Sequence, residues 1–363
     1  MIKAKEIHIS GLVQGVGFRP FIYRLAYEYG LKGCVENNNL GVTIIAEGAE
    51  SAIDLFISDI PNKAPLASSI ESINSKEIHI QNYDAFTITK SQSVSDEITE
   101  VSPDISVCDD CLADMKNQKR RIDYPFTNCT NCGPRFTIIK DLPYDRIKTT
   151  MKVFEMCPEC KKEYSTILDR RFHAQPVACE ICGPEYKMYF EGKEITNIHS
   201  IVDLCANLLE AGKIIAMKGL GGYHLVCNAF NEDSIQQLRV RKNREGKPFA
   251  IMFHDVESAS EYLYMNKEEN DLLTGWRKPV TLLKIKKEIA PSISIQLDTV
   301  GAMLPYMPFH HMLFEKLNMS AIVLTSGNIF DEPIVIDDDE ALAKLGRISD
   351  AVITYNREIH NRT

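Results

Sequence analysis

Cys108-Asp109-Asp110-Cys111 opens a stretch in which the Cys-x-x-Cys pattern occurs four times. The other pairs are Cys129-Thr130-Asn131-Cys132, Cys157-Pro158-Glu159-Cys160 and Cys179-Glu180-Ile181-Cys182. Positions 112–128 separate the first two pairs and positions 161–178 separate the last two. A Cys-x-x-Cys turn directs two thiolates at one point, and a second turn about 15 to 20 residues later completes the tetrahedral shell that Zn²⁺ prefers. The spacing therefore predicts two zinc sites.

Both predicted sites are closed. Four thiolates fill the tetrahedral shell and leave no position for a substrate, so the zinc ions are expected to be structural. Each half of the stretch ends alike, in Cys132-Gly133-Pro134 and in Cys182-Gly183-Pro184, which indicates two copies of one module. The spacing favours zinc shared within the first and second pairs and within the third and fourth. An interleaved arrangement, first with fourth and second with third, stays open at this point.

The bulk composition limits the partners. The chain has 363 residues and a net charge of −9, whereas nonspecific nucleic-acid binding needs a basic surface. Binding of RNA or DNA is therefore not expected. No apolar run reaches the roughly 18 residues of a membrane helix, and no secretory signal precedes the cysteines. We therefore expect a cytoplasmic protein with reduced cysteines and no membrane partner.

The pattern along the chain predicts a multidomain α/β protein. Strand and helix signals at 5–9, 20–29, 41–47, 51–59, near 78 and at 86–89 are interpreted as the βαββαβ order of a ferredoxin-like sandwich. This domain is placed at 1–91, followed by a polar linker at 92–106. The cysteine-rich region is placed at 107–186. The α/β pattern returns at 197–363, with a helix at 200–211 and strands at 213–218, 249–253, 280–283 and 321–324.

A glycine-rich loop between the first strand and the first helix is suited to a phosphoryl group. Its backbone N–H groups can turn inward around an anion, the helix that begins at Pro20 adds its positive end, and Arg19 supplies a planar fork. The phosphate-binding residues are Gln14, Gly15, Val16, Gly17 and Phe18, followed by Arg19.

This loop resembles the acylphosphatase signature, and Gly33-Cys34-Val35-Glu36-Asn37 is similar to the second motif of that family. The resemblance covers about residues 1–90. It implies that Arg19 holds the phosphoryl group while Asn37 orients the attacking water. An acyl phosphate carries a good leaving group, so positioning and charge stabilisation suffice without a metal or a covalent nucleophile.

Three clusters in the last domain point to ATP. They are a glycine-rich turn at 218–224, a run with five cations at 239–247, and small polar groups leaving an apolar strand at 324–328. Lys242-x-Arg244 and Thr325-Ser326-Gly327-Asn328 resemble motifs of the YrdC-like family, which makes acyl-adenylates. The residues assigned to ATP and the carbamoyl-adenylate, with Mg²⁺ expected as well, are Lys218, His224, Arg241, Lys242, Arg244, Lys247, Thr325, Ser326 and Asn328. The roles of His310 and His311 stay open.

The order of the three parts resembles the HypF family, the carbamoyltransferases of [NiFe]-hydrogenase maturation. Stretches at 171–176, 218–225, 304–311 and 356–359 look like that family directly. The resemblance implies a relay in which carbamoyl phosphate becomes carbamate, carbamate is joined to AMP from ATP, and the carbamoyl group passes to the C-terminal cysteine of the partner HypE. The transfer domain of the family is expected to be absent, because the sequence stops within a family motif at Arg362-Thr363.

Two other functions are considered. A tRNA threonylcarbamoyl-adenylate synthase would need neither the phosphate loop nor the cysteines. A zinc-finger module that binds nucleic acid could use Arg120, Arg121, Arg170 and Arg171 near the cysteine pairs, but the chain as a whole is acidic.

Overall fold

The protein is described from a computed structural model, which covers residues 2–38, 40–89, 101–329 and 332–363. The predicted linker at 92–106 lies outside the described residues as far as position 100. The chain divides into two compact units, residues 1–104 with 128–178 and residues 105–127 with 179–363. The predicted cysteine-rich region at 107–186 is thus distributed over both units. The bounds of the four predicted ranges, 1–91, 92–106, 107–186 and 197–363, stay predictions.

The elements are numbered in chain order. The strands are β1 Ile2–Leu12, β2 Lys32–Asn38, β3 Gly41–Ala49, β4 Ser69–Ile78, β5 Phe86–Ile88, β6 Tyr186–Phe190, β7 Lys193–Ile195, β8 Ile215–Lys218, β9 Tyr223–Asn228, β10 Ala250–Phe253, β11 Leu263–Tyr264, β12 Thr281–Ile285, β13 Thr299–Met303, β14 Ala321–Ser326 and β15 Ala351–Tyr355. The α-helices are α1 Phe18–Glu28, α2 Glu50–Lys63, α3 Asp109–Asn117, α4 Pro158–Ser165, α5 Ile198–Glu210, α6 Glu232–Lys242, α7 Val256–Tyr262, α8 Lys267–Thr274, α9 Pro308–Phe314 and α10 Asp338–Lys344.

The first unit contains a five-stranded sheet in the order β4-β1-β3-β2-β5. Only the β2 and β5 pair is parallel. Together with α1 and α2 this is the βαββαβ arrangement, extended by one short strand, so the ferredoxin-like prediction is confirmed. The sequence pattern gave no separate signal for β2, although it was needed for the predicted order.

Helix α1 lies between two glycines with left-handed backbone. Gly17 precedes it with φ 78°. At its other end Gly30 has φ 63°, its N–H donates to the Tyr27 carbonyl, and the Leu31 N–H donates to the Ala26 carbonyl. These bonds form a Schellman cap, which a glycine makes possible without steric penalty. The predicted helix end at Gly30 is confirmed, and α1 directs its first turn at the glycine-rich loop.

Helix α2 runs four residues past the predicted end at Asp59. Ile53, Phe56 and Ile60 lie on one face of it and are fully buried against the sheet. Burial of Ile60 thus extends the helix by another turn, beyond the residues whose pattern had been recognised.

The second unit contains a ten-stranded mixed sheet in the order β11-β12-β13-β10-β14-β9-β8-β15-β6-β7. The strands predicted at 213–218, 249–253, 280–283 and 321–324 correspond to β8, β10, β12 and β14. The helix predicted at 200–211 corresponds to α5, capped by the Asn197 side chain and followed by Gly212 with φ 75°. Strands β9, β13 and β15, which complete the centre of the sheet, were not predicted.

Among the residues that the structure describes, no helix is long and apolar enough to cross a membrane.

Candidate functional site

The eight paired cysteines form two clusters. Cys108, Cys111, Cys129 and Cys132 make one, and Cys157, Cys160, Cys179 and Cys182 make the other. In each, the four Sγ atoms lie within 4.8 Å of one another. The grouping is the sequential one that the spacing favoured, and the interleaved arrangement is wrong.

The donor geometry fits zinc. The Sγ atoms are 3.8 Å apart in the Cys129 and Cys132 pair and 3.9 Å apart in the Cys179 and Cys182 pair. Thiolates placed tetrahedrally at about 2.3 Å from a zinc ion would be about 3.8 Å apart. Zinc held by all four sulfurs would tie two chain segments together and would leave no position open for chemistry.

The remaining cysteines play another part. Cys34, Cys205 and Cys227 are buried, and burial raises the pKa of the Cys227 thiol to about 12. All eleven cysteines lie in the described ranges, and none forms a disulfide. These three side chains therefore pack as small apolar groups, as predicted.

A small cavity lies at the glycine-rich loop of the first unit. It is lined by Val13, Gly15, Gly17, Phe18, Arg19, Pro20, Asn37, Thr130, Arg135, Tyr144, His173, Ala174 and Gln175. Its volume is about 20 Å³, which corresponds to little more than one ordered water. Gly15 and Gly17 have φ of 75° and 78°, a conformation open to glycine, which lets the loop turn around the cavity.

Arg19 is buried and held in place. Its Nη2 atom donates to the Tyr144 carbonyl at 3.1 Å and to Asp145 Oδ1 at 2.9 Å. Gln14 is also fixed, because its Oε1 accepts from the Tyr144 N–H at 3.1 Å and its Nε2 donates to the Gly41 carbonyl at 3.0 Å. The guanidinium is thus oriented before any substrate binds.

Asn37 lines the same cavity from the end of β2. It is 2% exposed, and its Oδ1 atom has no hydrogen-bond partner in the described part of the chain. A buried carbonyl oxygen without a donor is costly unless a water or ligand supplies one. The structure therefore brings Arg19 and Asn37 together with the loop residues Gly15, Gly17 and Phe18, as the sequence predicted. Val16, also assigned to this loop, is buried in the core of the unit.

Five residues at this cavity were missed by sequence reasoning: Arg135, Tyr144, Asp145, His173 and Gln175. Arg135 is 1% exposed; its Nε donates to the Gly15 carbonyl, and its Nη2 donates to the Thr130 carbonyl at 2.9 Å. In the sequence, only the stretch at 171–176 had been noted, because it resembles the family. It contains His173 and Gln175, but the resemblance does not indicate that these two residues line this cavity.

A second cavity lies in the second unit and has a volume of about 590 Å³, within the range of small-molecule sites. It is lined by Lys242, Asn243, Arg244, Glu245, Gly246, Lys247, Ser326, Asn328 and Glu332. Lys242 Nζ donates to the carbonyls of Ser326 at 2.6 Å and Asn328 at 2.8 Å, and to the Asn328 side chain. The predicted Lys-x-Arg pair and the Ser-x-Asn group thus meet at one site.

Burial, together with the charge of the neighbouring Arg244, lowers the pKa of Lys242 to about 8. The loop at 244–247 is held by Arg239, whose guanidinium donates to the carbonyls of Arg244, Glu245 and Lys247. Arg239 was quoted as one of the cations in this run, but its part in shaping the loop was not predicted.

Four other assigned residues are not among those lining this cavity. The buried Lys218 forms an ion pair with the partly exposed Asp338 at 2.5 Å, and burial lowers the pKa of Lys218. Arg241 pairs with Asp350 at 3.3 Å. His224 and Thr325 lie on adjacent strands β9 and β14. Their contribution to nucleotide binding stays a prediction.

Of the two histidines of α9, His310 is buried and His311 is partly exposed. His310 is 1% exposed, neither of its ring nitrogens has a hydrogen-bond partner among the residues that the structure describes, and its ring meets that of Tyr306 edge-on at 4.6 Å. The Tyr306 hydroxyl lies 3.3 Å from His224 Nε2. Burial lowers the pKa of both His224 and His311 to about 4, so both are neutral at pH 7.

Two of the four arginines near the cysteine pairs are buried and bonded within the protein, so they are not available to a nucleic acid. Arg121 is fully buried and donates to Gln118 Oε1, and Arg171 is 3% exposed and donates to the Asn128 carbonyl.

Fold and sites together define a multidomain α/β protein with an acylphosphatase-like domain, paired four-cysteine clusters and a YrdC-like domain. Family models agree with this description. Residues 5–88 match acylphosphatase, residues 107–139 and 156–189 match the HypF finger, and residues 207–363 match the Sua5/YciO/YrdC family, described as telomere recombination.

The chain is similar to HypF proteins along nearly its whole length. It is 40% identical to carbamoyltransferase HypF of Rhodobacter capsulatus, over 99% of this chain and 48% of the relative. It is 43% identical to the probable carbamoyltransferase HypF of Methanocaldococcus jannaschii, over 98% of this chain and 47% of the relative. A crystal structure of full-length HypF in the phosphate- and nucleotide-bound form has 48% identity and a TM-score of 0.95, over 100% of this chain and 48% of that one. The chain thus spans about half the length of the curated relatives it matches.

Proposed function

We propose that the first cavity hydrolyses carbamoyl phosphate to carbamate and phosphate. The observation that carries this proposal is the meeting of the buried Arg19 guanidinium, the glycine-rich loop and the unpartnered Asn37 Oδ1 at one cavity. Cation, backbone N–H groups and a water acceptor are the groups that this reaction needs.

In the proposed step, the loop N–H groups and Arg19 hold the phosphoryl oxygens, and Asn37 Oδ1 accepts a hydrogen bond from a water. The water oxygen bonds to phosphorus while the bond from phosphorus to the carbamate oxygen breaks. The electron pair leaves with carbamate, and the phosphate product keeps the water oxygen and its hydrogens. Prior orientation of Arg19 by Asp145 supports this step, because a positioned group needs little reorganisation.

The second cavity is proposed to join carbamate to AMP. A carbamate oxygen would attack the α-phosphorus of ATP, and pyrophosphate would leave. Lys242, Arg244 and Lys247 would stabilise the triphosphate charge, while Ser326 and Asn328 would supply polar contacts. Mg²⁺ is proposed to accompany ATP, and Lys218, His224, Arg241 and Thr325 are proposed as supporting residues.

The step that would follow adenylation is proposed from the similarity to the HypF family. The carbamoyl group would pass to the C-terminal cysteine of HypE and supply the cyanide ligand of [NiFe]-hydrogenase. Similarity to HypF over nearly the whole chain does not favour a tRNA threonylcarbamoyl-adenylate synthase or a nucleic-acid-binding module. The cytoplasmic location stays a prediction.

The first site is tested by Arg19→Ala. We expect hydrolysis of carbamoyl phosphate to fall at least about a hundredfold, because a preorganised charge is lost from the transition state. Release of inorganic phosphate measures the rate, and thermal unfolding checks the fold. The matched control is Arg24→Ala, which removes an exposed arginine from the same helix. Full turnover in the Arg19 variant would refute the assignment.

The second site is tested with carbamoyl phosphate, ATP and Mg²⁺ together. Pyrophosphate should form in the intact protein and should be lost in Lys242→Ala, while release of phosphate by the first site should continue. Pyrophosphate formation that is unchanged in Lys242→Ala would contradict the proposed adenylation site.

A further inference from the structure

The glycine-rich loop, Arg19 and Asn37 account for only part of the lining of the first cavity. The rest of the lining, called the wall here, comes from the segment at 128–178 and consists of Thr130, Arg135, Tyr144, His173, Ala174 and Gln175. If the loop and Arg19 hold phosphate, this wall faces the acyl half of the substrate. Its chemistry then indicates which acyl groups the cavity accepts.

Three polar side chains of the wall already form hydrogen bonds with other groups of the protein. The Thr130 hydroxyl donates to backbone carbonyls, and Arg135 uses Nε, Nη1 and Nη2 on three backbone carbonyls. The Gln175 amide bonds to protein groups through both its oxygen and its nitrogen. These residues shape the wall.

Tyr144 is different. It is 4% exposed, and its hydroxyl has no hydrogen-bond partner among the described residues. A buried hydroxyl is usually paired, so an unpaired one at a cavity indicates a ligand group. Burial raises the pKa of Tyr144, which keeps the hydroxyl protonated and able to donate.

His173 is held in an uncommon backbone conformation, with φ 55°. Its N–H donates to the Tyr164 carbonyl at 2.9 Å, and its carbonyl accepts from Gln175 Nε2 at 2.8 Å. Its ring packs against those of Tyr164 and Phe172, with centroids 4.9 Å and 4.7 Å away. Burial and the charge of Arg19 lower the pKa of His173 to about 4, so the imidazole is neutral at pH 7 and keeps one acceptor nitrogen.

The carbamoyl group carries one carbonyl oxygen, which accepts, and one NH₂ group, which donates. We propose that Tyr144 and His173 bind this group, the Tyr144 hydroxyl donating to the carbonyl oxygen and the His173 imidazole accepting from the NH₂ group. The His173 acceptor would thereby select carbamoyl phosphate over acyl phosphates with a methyl group in place of NH₂, while Tyr144 would hold the carbonyl oxygen that both kinds of substrate share. This inference rests on the proposed hydrolysis at the same cavity.

Discrimination of this kind is physically efficient. A methyl group and an NH₂ group have similar sizes, so a cavity that selects by size alone distinguishes them poorly. A substrate that leaves a buried polar group of the protein without a hydrogen bond is bound much more weakly, and selection by this means is strong. Acetyl phosphate satisfies the hydroxyl but leaves the imidazole acceptor without a donor.

The test compares kcat/KM for carbamoyl phosphate and acetyl phosphate in the whole 363-residue chain. Tyr144→Phe removes only the hydroxyl, and His173→Phe keeps a ring but removes the acceptor. His173→Phe should lower the preference for carbamoyl phosphate by about tenfold or more. Tyr144→Phe should lower kcat/KM for both substrates alike, because both carry the carbonyl oxygen to which the hydroxyl donates. Turnover of acetyl phosphate should decrease much less in His173→Phe, because its methyl group makes no bond to the imidazole. Inhibition by inorganic phosphate should stay unchanged, since phosphate has no acyl group.

Controls separate the possible failures. Tyr27→Phe changes a tyrosine that is 77% exposed on α1 and should alter neither substrate. His173→Gly tolerates the left-handed backbone, also removes the acceptor, and replaces His173→Phe if that variant does not fold. An unchanged substrate ratio in His173→Phe, or an unchanged kcat/KM for both substrates in Tyr144→Phe, overturns the inference while leaving the proposed hydrolysis intact. If the unaltered protein hydrolyses neither substrate, the proposed function and this inference both fail.

Discussion

Arg19 illustrates how much one residue depends on its neighbours. Its charge is partly balanced by Asp145, whose carboxylate is 2.9 Å from Nη2. The pair fixes the direction of the guanidinium but also weakens its pull on an incoming anion. The contact with Asp145 therefore improves the orientation of the Arg19 guanidinium and at the same time reduces its electrostatic attraction for the substrate.

Asp145→Asn should separate these two effects. We expect KM for acetyl phosphate to fall, because the positive charge is no longer balanced, and kcat to fall about tenfold, because the guanidinium is less well oriented. Steady-state kinetics measure both. Asp141→Asn is the matched control, since Asp141 pairs with Lys148 and is not among the residues lining the cavity. Equal kinetics in the Asp145 variant and the unaltered protein would exclude this role.

Lys242 should make the proposed nucleotide binding sensitive to pH. Its pKa in the free protein is lowered to about 8, so the cation is present at pH 7 and largely lost at pH 9. The affinity for ATP should decrease as the pH rises through 8. Lys242→Arg keeps its charge in this range and should flatten the profile. Calorimetric titration at several pH values is the measurement, and a flat profile in the unaltered protein would contradict it.

At the scale of elements, the turn between Cys129 and Cys132 supports the phosphate loop. A Cβ atom on Gly17 would lie 3.0 Å from Thr130 Cγ2 and 3.1 Å from Asn131 Oδ1. The two turns are thus in close contact, although only one of them takes part in the proposed chemistry.

Loss of this cysteine cluster should reduce hydrolysis even though zinc has no part in the reaction. We expect Cys132→Ser to lower both the zinc content and the rate of phosphate release, because the turn that supports Gly17 loosens. Metal analysis should give two zinc ions for each intact chain. Cys205→Ala alters a buried cysteine outside the clusters and should leave both quantities unchanged. A zinc-depleted variant with full activity would disprove the coupling.

The same scale explains what the sequence could predict. Helix ends at Gly30 and Gly212 were recognisable because a cap depends on a few adjacent residues. The spacing favoured the observed cysteine grouping but left the interleaved arrangement open. Strand β15 was not recognised, because its five buried residues form a short apolar run whose parallel partner β8 is far away in sequence.

At the scale of the whole molecule, the family was predicted from the order of three recognisable parts, but the walls of the cavity were not. Tyr144 and His173 reach the phosphate loop from more than a hundred residues away, and no local pattern reports such a contact. Arg19 and Asn37 were predictable because they lie within short motifs. The residues proposed to select the substrate could be located only in three dimensions.

The hydrogen bonds from Arg135 to Gly15 and from the Tyr144 N–H to Gln14 also constrain how such a chain can be inherited. Recombination that replaced the first ninety residues with another acylphosphatase would preserve the loop yet mismatch its supports. The sequences of the loop and of the residues that support it must therefore change in step. Once the two segments are joined in one chain, replacing either of them alone by recombination is disfavoured.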